Sequence, residues 1–454
     1  MADVVIPVEF EKEGENSYFY QNIFTICIRS STIMVPLHRR ELLASLGVAS
    51  TISMAGCAEI TGQFADDDSH LGETYRAGWP LASFDSLNSR HPPHSPPTGD
   101  VVERWRFDEE HVGFLYDEPA VAVTEDIAYI GTVEGNIHTR DLPEGDGSLL
   151  TDLDELDSRS VEAPIRGVAS TGDQLMVISD GLYVLDSDSG EEMWQYNASP
   201  TGDGENLVEV SPTITENTVY LPGYGVHALS RDSGDKQWHF ETDGLPEEID
   251  PTSGDLSWFV MNPPAVHHEM IYCSTVRSTL YAIEAESGEE VWRYESENGG
   301  FTGSPAVTDE YVVHRTTEDL YAFDLETGDI EWDVDISHYG PGTMEHSPVV
   351  GTDTVYLGIP PIVGYDLDQG EHVWELDEDA IAYSRLSSPV LTEDMLYAAD
   401  RMHGAVFGCS LDDRTESWRY EEIDPEAGEN SLITTEELVL YLTTTGELVA
   451  LESA

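Results

Sequence analysis

The side chains best suited by type to chemistry gather in a few loops. His338, Tyr339, Glu345 and His346 combine imidazole, phenol and carboxylate within one short stretch, a set that suits a metal or polar ligand and equally a plain polar lining. Asp152, Asp154, Glu155 and Asp157 offer the oxygens that Ca²⁺ takes, but in so acidic a chain they read as a solvated loop. Trp258, Phe259, Val260 and Met261 interrupt a loop coat that is otherwise acidic. They are either core packing or an exposed edge for a partner. No G-x-S-x-G elbow, no H-E-x-x-H pair and no Gly-rich phosphate loop leading into a helix occurs, so no catalytic motif stands out. Asn197-Ala198-Ser199, followed by Pro200, makes Asn197 a candidate glycosylation acceptor.

Charge limits what such loops can bind. The 454 residues carry 89 Asp and Glu against 20 Lys and Arg, a formal net charge of −69. Nucleic acid is excluded as a partner, because no cationic surface exists to release its counterions. Only two of the basic residues, Lys12 and Lys236, are lysines. Acid enrichment with Lys nearly removed resembles the proteins of extreme halophiles, where molar salt shortens the Debye length to roughly 3 Å and quenches self-repulsion. The chain is 40% hydrophobic, with nine Trp and 21 Tyr, enough for a packed core.

The amino-terminal region reads as an address. Arg39 and Arg40 precede an apolar stretch without charge from Leu42 to Gly56, and Ala55-Gly56 leads into Cys57. That order resembles a twin-arginine export signal ending in a lipobox, with Cys57 the lipidation site, although Met54 stands where Leu or Val is usual. The stretch is too short for a stable membrane span. Residues 34–56 are therefore expected to be the signal, and residues 1–33 a doubtful extension produced by an upstream start codon. Residues 57–100 form the tether and lead-in, with Asp66-Asp67-Asp68 and a Pro-rich run from Pro92 to Pro97; such composition favours an extended chain. The expected location is the outer face of the cytoplasmic membrane.

From there the chain is an array. Leu182–Trp194, Val226–Trp238, Leu280–Trp292, Leu320–Trp332 and Ile362–Trp374 each run from a short apolar strand through a Gly to a Trp four residues later. A weaker copy ends at Trp418, with Arg414 in place of the Gly, and another has Gly145 followed by Leu149 where Trp is expected. The Trp residues at 194, 238, 292, 332, 374 and 418 stand 44, 54, 40, 42 and 44 apart, the period of a four-stranded propeller blade. The Gly supplies the positive φ of the hairpin between the third and fourth strands. Ser211-Pro212, Pro263-Pro264, Ser304-Pro305, Ser347-Pro348 and Ser388-Pro389 open the first strands, where Pro costs no ladder bond. Full units at about 117–150, 164–195, 211–239, 263–293, 304–333, 347–375 and 388–419 leave a remainder, Ser431–Ala454, that lacks a fourth strand. Val101–Phe107, with Trp105, supplies it. The fold class expected is all-β: an eight-bladed β-propeller of four-stranded antiparallel blades over 101–454, closed by the N-terminal strand.

These repeats, with Gly78–Asn88 as lead-in, resemble the pyrroloquinoline quinone (PQQ)-like repeat of eight-bladed propellers found in quinoprotein alcohol dehydrogenases and BamB-type assembly lipoproteins. The resemblance implies that Trp105, Trp194, Trp238, Trp292, Trp332, Trp374 and Trp418 dock neighbouring blades. For a dehydrogenase it implies adjacent cysteines against the quinone, a Ca²⁺ held by Glu and Asn, and a catalytic Asp. This chain has four cysteines, Cys27, Cys57, Cys273 and Cys409, none adjacent and none in a CxxC pair; Cys409, on an apolar strand, is expected to be a buried free thiol. The enzymes are also much longer. The expectation is a monomeric, noncatalytic binding module or scaffold with no cofactor or metal. Its partner, a protein or a small ligand, would sit at the channel mouth, reached by Trp258, Phe259, His338, Tyr339 and His346. The alternative is a PQQ- and calcium-dependent alcohol or sugar dehydrogenase with a divergent site.

Overall fold

The computed structural model describes residues 81, 84–94, 96–115, 118–153, 164–196, 211–242, 259–339, 346–359, 361–376, 386–400, 404–421, 431–443 and 445–454. The chain divides into two units, Met1–Ala65 and Asp66–Ala454, and every described residue belongs to the second. Arg39, Arg40, Cys57, Asn197, Trp258, Glu345 and the acidic residues 154–157 lie outside the described residues.

Eight four-stranded antiparallel sheets follow one another along the chain, each built from consecutive strands except the last. Blade one runs through Val121–Asp152, blade two through Gly167–Tyr196, blade three through Thr213–Phe240 and blade four through Ala265–Glu295. Blade five spans Phe301–Asp335, blade six Val349–Glu375 and blade seven Val390–Glu421. Blade eight combines Ser431–Thr434, Val439–Leu442 and Leu448–Ser453 with Val101–Phe107, which pairs antiparallel to Leu448–Ser453 from Val101↔Ser453 to Phe107↔Leu448. The N-terminal strand thus closes the ring and leaves the last third strand no open edge.

The repeated Trp and Gly explain why the blades stack. On each fourth strand the Trp lies opposite a small or slim residue of the third strand: Ala228, Ala282, Ala322, Gly364, Gly408, Ala450 or Val184. A register shift follows in every case and turns the indole towards the next blade. There, for every Trp but Trp418, its Nε1–H donates to the first carbonyl of the following hairpin: Trp194 to Arg231 O at 3.0 Å, Trp292 to Leu325 O at 3.0 Å, Trp332 to Leu367 O at 2.8 Å. Its ring covers that hairpin's Gly. At Gly328, where φ is +70°, a Cβ would stand 2.5 Å from Trp292 Cδ2, so the position needs Gly twice over, for its backbone and for its missing side chain.

Blade one departs from the repeat in an informative way. Leu149, which the Gly-to-Trp spacing places at the Trp position, is 53% exposed. Leu150 points inward instead and packs beside Gly190, where a Cβ would be 3.1 Å from its Cγ. The bulge between Ile137 and His138 sets this register. The docking residue is therefore five places after Gly145, not four.

Candidate functional site

Residues 84–94, 96 and 97 belong to the propeller body. Composition assigns this Pro-rich stretch to an extended tether, but Asn88, Arg90 and His94 are buried, and the segment is bonded blade by blade to first strands. Each first strand pairs on one side only, so its other edge is free towards the axis. Ser86 O accepts from Val266 N at 2.6 Å, Leu87 O from Val307 N at 3.0 Å and Arg90 O from Leu391 N at 3.1 Å. Side chains reinforce the backbone: Asn88 Nδ2 donates to Pro263 O and Pro305 O, Arg90 Nε to Pro389 O, and His94 Nε2 meets Thr434 Oγ1 at 3.0 Å. The Pro-led openings of the blades, which cannot donate at Pro, offer carbonyls, and the lead-in answers with donors. Its polar residues, not its prolines, were the sequence feature that distinguished it from a tether.

The loop between blades three and four buries what it shows of its aromatic run. Phe259 is 7% exposed and its ring lies 4.0 Å from that of Tyr224. Val260 N donates to Gly223 O at 2.9 Å, and Phe259 O accepts from Val276 N at 3.2 Å, so this stretch staples the two blades. Phe259 is thus packing and not an exposed anchor.

The His338 loop is split. Ser337–Tyr339 forms a single 3-10 turn with exposed His338, whose ring lies 4.0 Å from that of Tyr339. Tyr339 itself packs against the core between blades five and six. His346 is 1% exposed and sits where blade six begins; a Cβ on Gly303 would meet its carbonyl carbon at 2.6 Å. His338 and His346 therefore serve different environments, and among the described residues no group of three His, Cys, Asp or Glu side chains could hold a metal ion.

Other buried groups are perturbed by their surroundings. His314 stacks on Phe301 at 4.6 Å and bonds Ser274 Oγ at 2.8 Å; burial first, and then Arg315, push its pKa down to about 3, which keeps it neutral. Cys273 and Cys409 are buried free thiols on different blades, and burial pushes both thiols up, so they are poor nucleophiles. A quinone site of the kind the resemblance implies needs adjacent thiols and a carboxylate–amide cradle for calcium. Two separate, inert thiols and an axis edge already bonded to the lead-in do not fit that group.

The comparisons agree with this architecture. The family model described as outer membrane protein assembly factor BamB matches residues 96–247 and 226–380. Tetrathionate hydrolase of Acidithiobacillus ferrooxidans is 24% identical over 251 residues, which cover 49% of this chain and 46% of the hydrolase. Quinohemoprotein alcohol dehydrogenase of Comamonas testosteroni is 25% identical over 155 residues, 31% of this chain and 21% of that enzyme. The chain thus spans less than half the length of each of these relatives. Among solved structures, BamB from Moraxella catarrhalis superposes with a TM-score of 0.56 at 16% identity, covering 78% of this chain and 97% of that one. The Comamonas testosteroni dehydrogenase gives 0.62 at 13% identity, covering 83% and 80%. These structural likenesses establish the fold. Matched over more than half its length, the chain belongs to the PQQ-repeat family described as outer membrane protein assembly factor BamB.

Proposed function

We propose that this chain is an exported, lipid-anchored, noncatalytic propeller that binds a protein partner at the outer face of the cytoplasmic membrane of a halophile. The observation that carries the reading is how the recurring chemistry is used: the indoles and turn glycines are consumed in blade joints, and the inner edges of blades four, five and seven bond the lead-in. What varies from blade to blade is loop sequence, which is where a rigid scaffold places recognition. Membership of the BamB family favours a protein as that partner. Arg39, Arg40 and Cys57 supply export and anchorage, and the charge of −69 supplies solubility in molar salt.

The test uses the full chain. Capture from high-salt membranes should retain a specific protein partner, Arg39→Lys with Arg40→Lys should hold the chain in the cytoplasm, and Cys57→Ser should release it from the membrane. Export variants that all stay membrane-bound contradict the anchor. A second reading, a PQQ- and calcium-dependent dehydrogenase with a divergent site, draws on the match to the quinohemoprotein enzyme.

A further inference from the structure

Arg315 lies on the second strand of blade five and is 1% exposed. Its Nε donates to Thr316 O at 3.2 Å, while Nη1 is buried with no hydrogen-bond partner. Directly across the ladder is Thr302, 5% exposed, whose Oγ1 is likewise buried and without a partner. Cross-strand partners project from the same face of a sheet, so two orphaned donors share one side of the blade.

That side faces blade six. Val313, two residues before Arg315, packs with Val350, Val355 and Leu357 of the next blade, and Leu320, paired with Arg315, belongs to the same cluster. Arg315 thus projects from the blade face that carries this aliphatic cluster, and burial alone moves its guanidinium, down to about 10, with no carboxylate acting on it. In a chain with 89 acidic residues this exception is costly: a guanidinium stays charged, and an uncompensated buried charge destabilises by several kcal/mol. A water molecule would satisfy the hydroxyl but leave the charge.

We propose that Arg315 and Thr302 hold one small monovalent anion, of halide or formate size, between blades five and six. A buried guanidinium offers donors only and carries the charge, and the Thr302 hydroxyl can turn its O–H to the same guest, which favours an anion. Burial and a single guanidinium select a small, singly charged one, since a dianion would be left with an excess charge away from water. The blade joint nearby is close-packed, with Gly303 against His346 and Ser347, and Ser347 Oγ accepting from Ser304 N at 2.9 Å, so an anion seated there would tie the two blades together. This site is independent of the partner-binding reading.

The test holds ionic strength constant in molar salt with gluconate, too bulky to enter, and replaces it stepwise with bromide, following the melting temperature of the full chain. The wild type should show a saturable rise. Arg315→Met, which removes the buried charge and should still fold, should lose it, and the conservative Thr302→Val should raise the half-saturating bromide concentration roughly tenfold, the worth of one hydrogen bond to a charged group. A bromide-soaked crystal should give an anomalous peak about 3.3 Å from both Nη1 and Oγ1. Equal responses in all three proteins, or an ordered water alone at that position, would overturn the proposal.

Discussion

Between blades four and five the joint is an indole laid over a glycine: Trp292 donates to Leu325 O, and Gly328 leaves room for the ring. At blade eight the same task is carried out with other parts. Its fourth strand is Val101–Phe107, not a hairpin continuation of Leu448–Ser453, and Trp418 Nε1 donates to Pro97 O at 3.1 Å, while Tyr397 OH donates to the carbonyls of Pro96 and Pro97. Arg104 and Arg106 of the closing strand pair with Glu452 and Glu447 across the seam, Arg106 also with Glu103. The apolar cores differ too. Elsewhere one cluster fills one blade interface, whereas a single cluster runs from blade seven through blade eight into blade one, from Val390 and Trp418 to Phe107 and Val121. A ring closed by a non-consecutive strand must be held by contacts the repeat does not encode, and here these are the lead-in, ion pairs and a continuous core. Because those ion pairs are about one-third exposed, the core does most of the holding.

Removing the seam strand should have the largest effect. Deleting residues 101–107 takes away Trp105 and Phe107, exposes the edge of Leu448–Ser453, and should give aggregation instead of a mild shift in melting. A soluble truncated chain with a cooperative melt would show that the repeated joints alone hold the ring.

A smaller effect separates two glycines of the repeat itself. Gly328→Val forces a β-branched residue into φ +70° and drives its Cβ to within 2.5 Å of the Trp292 ring, which should cost roughly 3 kcal/mol. Gly190→Val, at φ +69° but with Leu150 as neighbour and nearest contacts of 3.0–3.2 Å, should cost about 1 kcal/mol less, since only the clash is relieved. Chemical denaturation of both variants checks the difference. Equal losses would mean that backbone strain alone, and not the indole, makes Gly necessary.

Much of this was legible in the sequence, for a physical reason. The Trp–Gly joint needs two residue types at fixed spacing in consecutive blades, so it prints a periodic pattern, and the missing fourth strand after Leu448–Ser453 pointed to Val101–Phe107 as its replacement. What periodicity cannot print stayed hidden. Leu150, not Leu149, fills the indole position because a bulge sets the register. Asn88, Arg90 and His94 sit in a Pro-rich stretch whose average composition says tether, and their burial depends on carbonyls and a Thr hydroxyl more than 170 residues away. Arg315 and Thr302 become a pair only through strand register. The aromatic run holding Phe259 favoured packing but left an exposed edge open until Tyr224 was placed beside it.

Arg414 offers the finest adjustment. It occupies the repeat's Gly position at φ +58°, while Trp374 still donates to Leu411 O at 3.0 Å. Arg414→Gly should therefore relieve strain and stabilise the blade six–seven joint by roughly 0.5–1 kcal/mol. A drop in melting temperature would show that the Arg side chain contributes more than its backbone costs.

Whether this propeller spends its recurring residues on structure alone can be read by adding PQQ and Ca²⁺ to the purified full chain in molar salt and following dye reduction over a panel of alcohols and sugars. No substrate-dependent reduction above the protein-free control is expected. Saturable, substrate-dependent turnover that requires both PQQ and Ca²⁺ would contradict it and establish the dehydrogenase reading in its place.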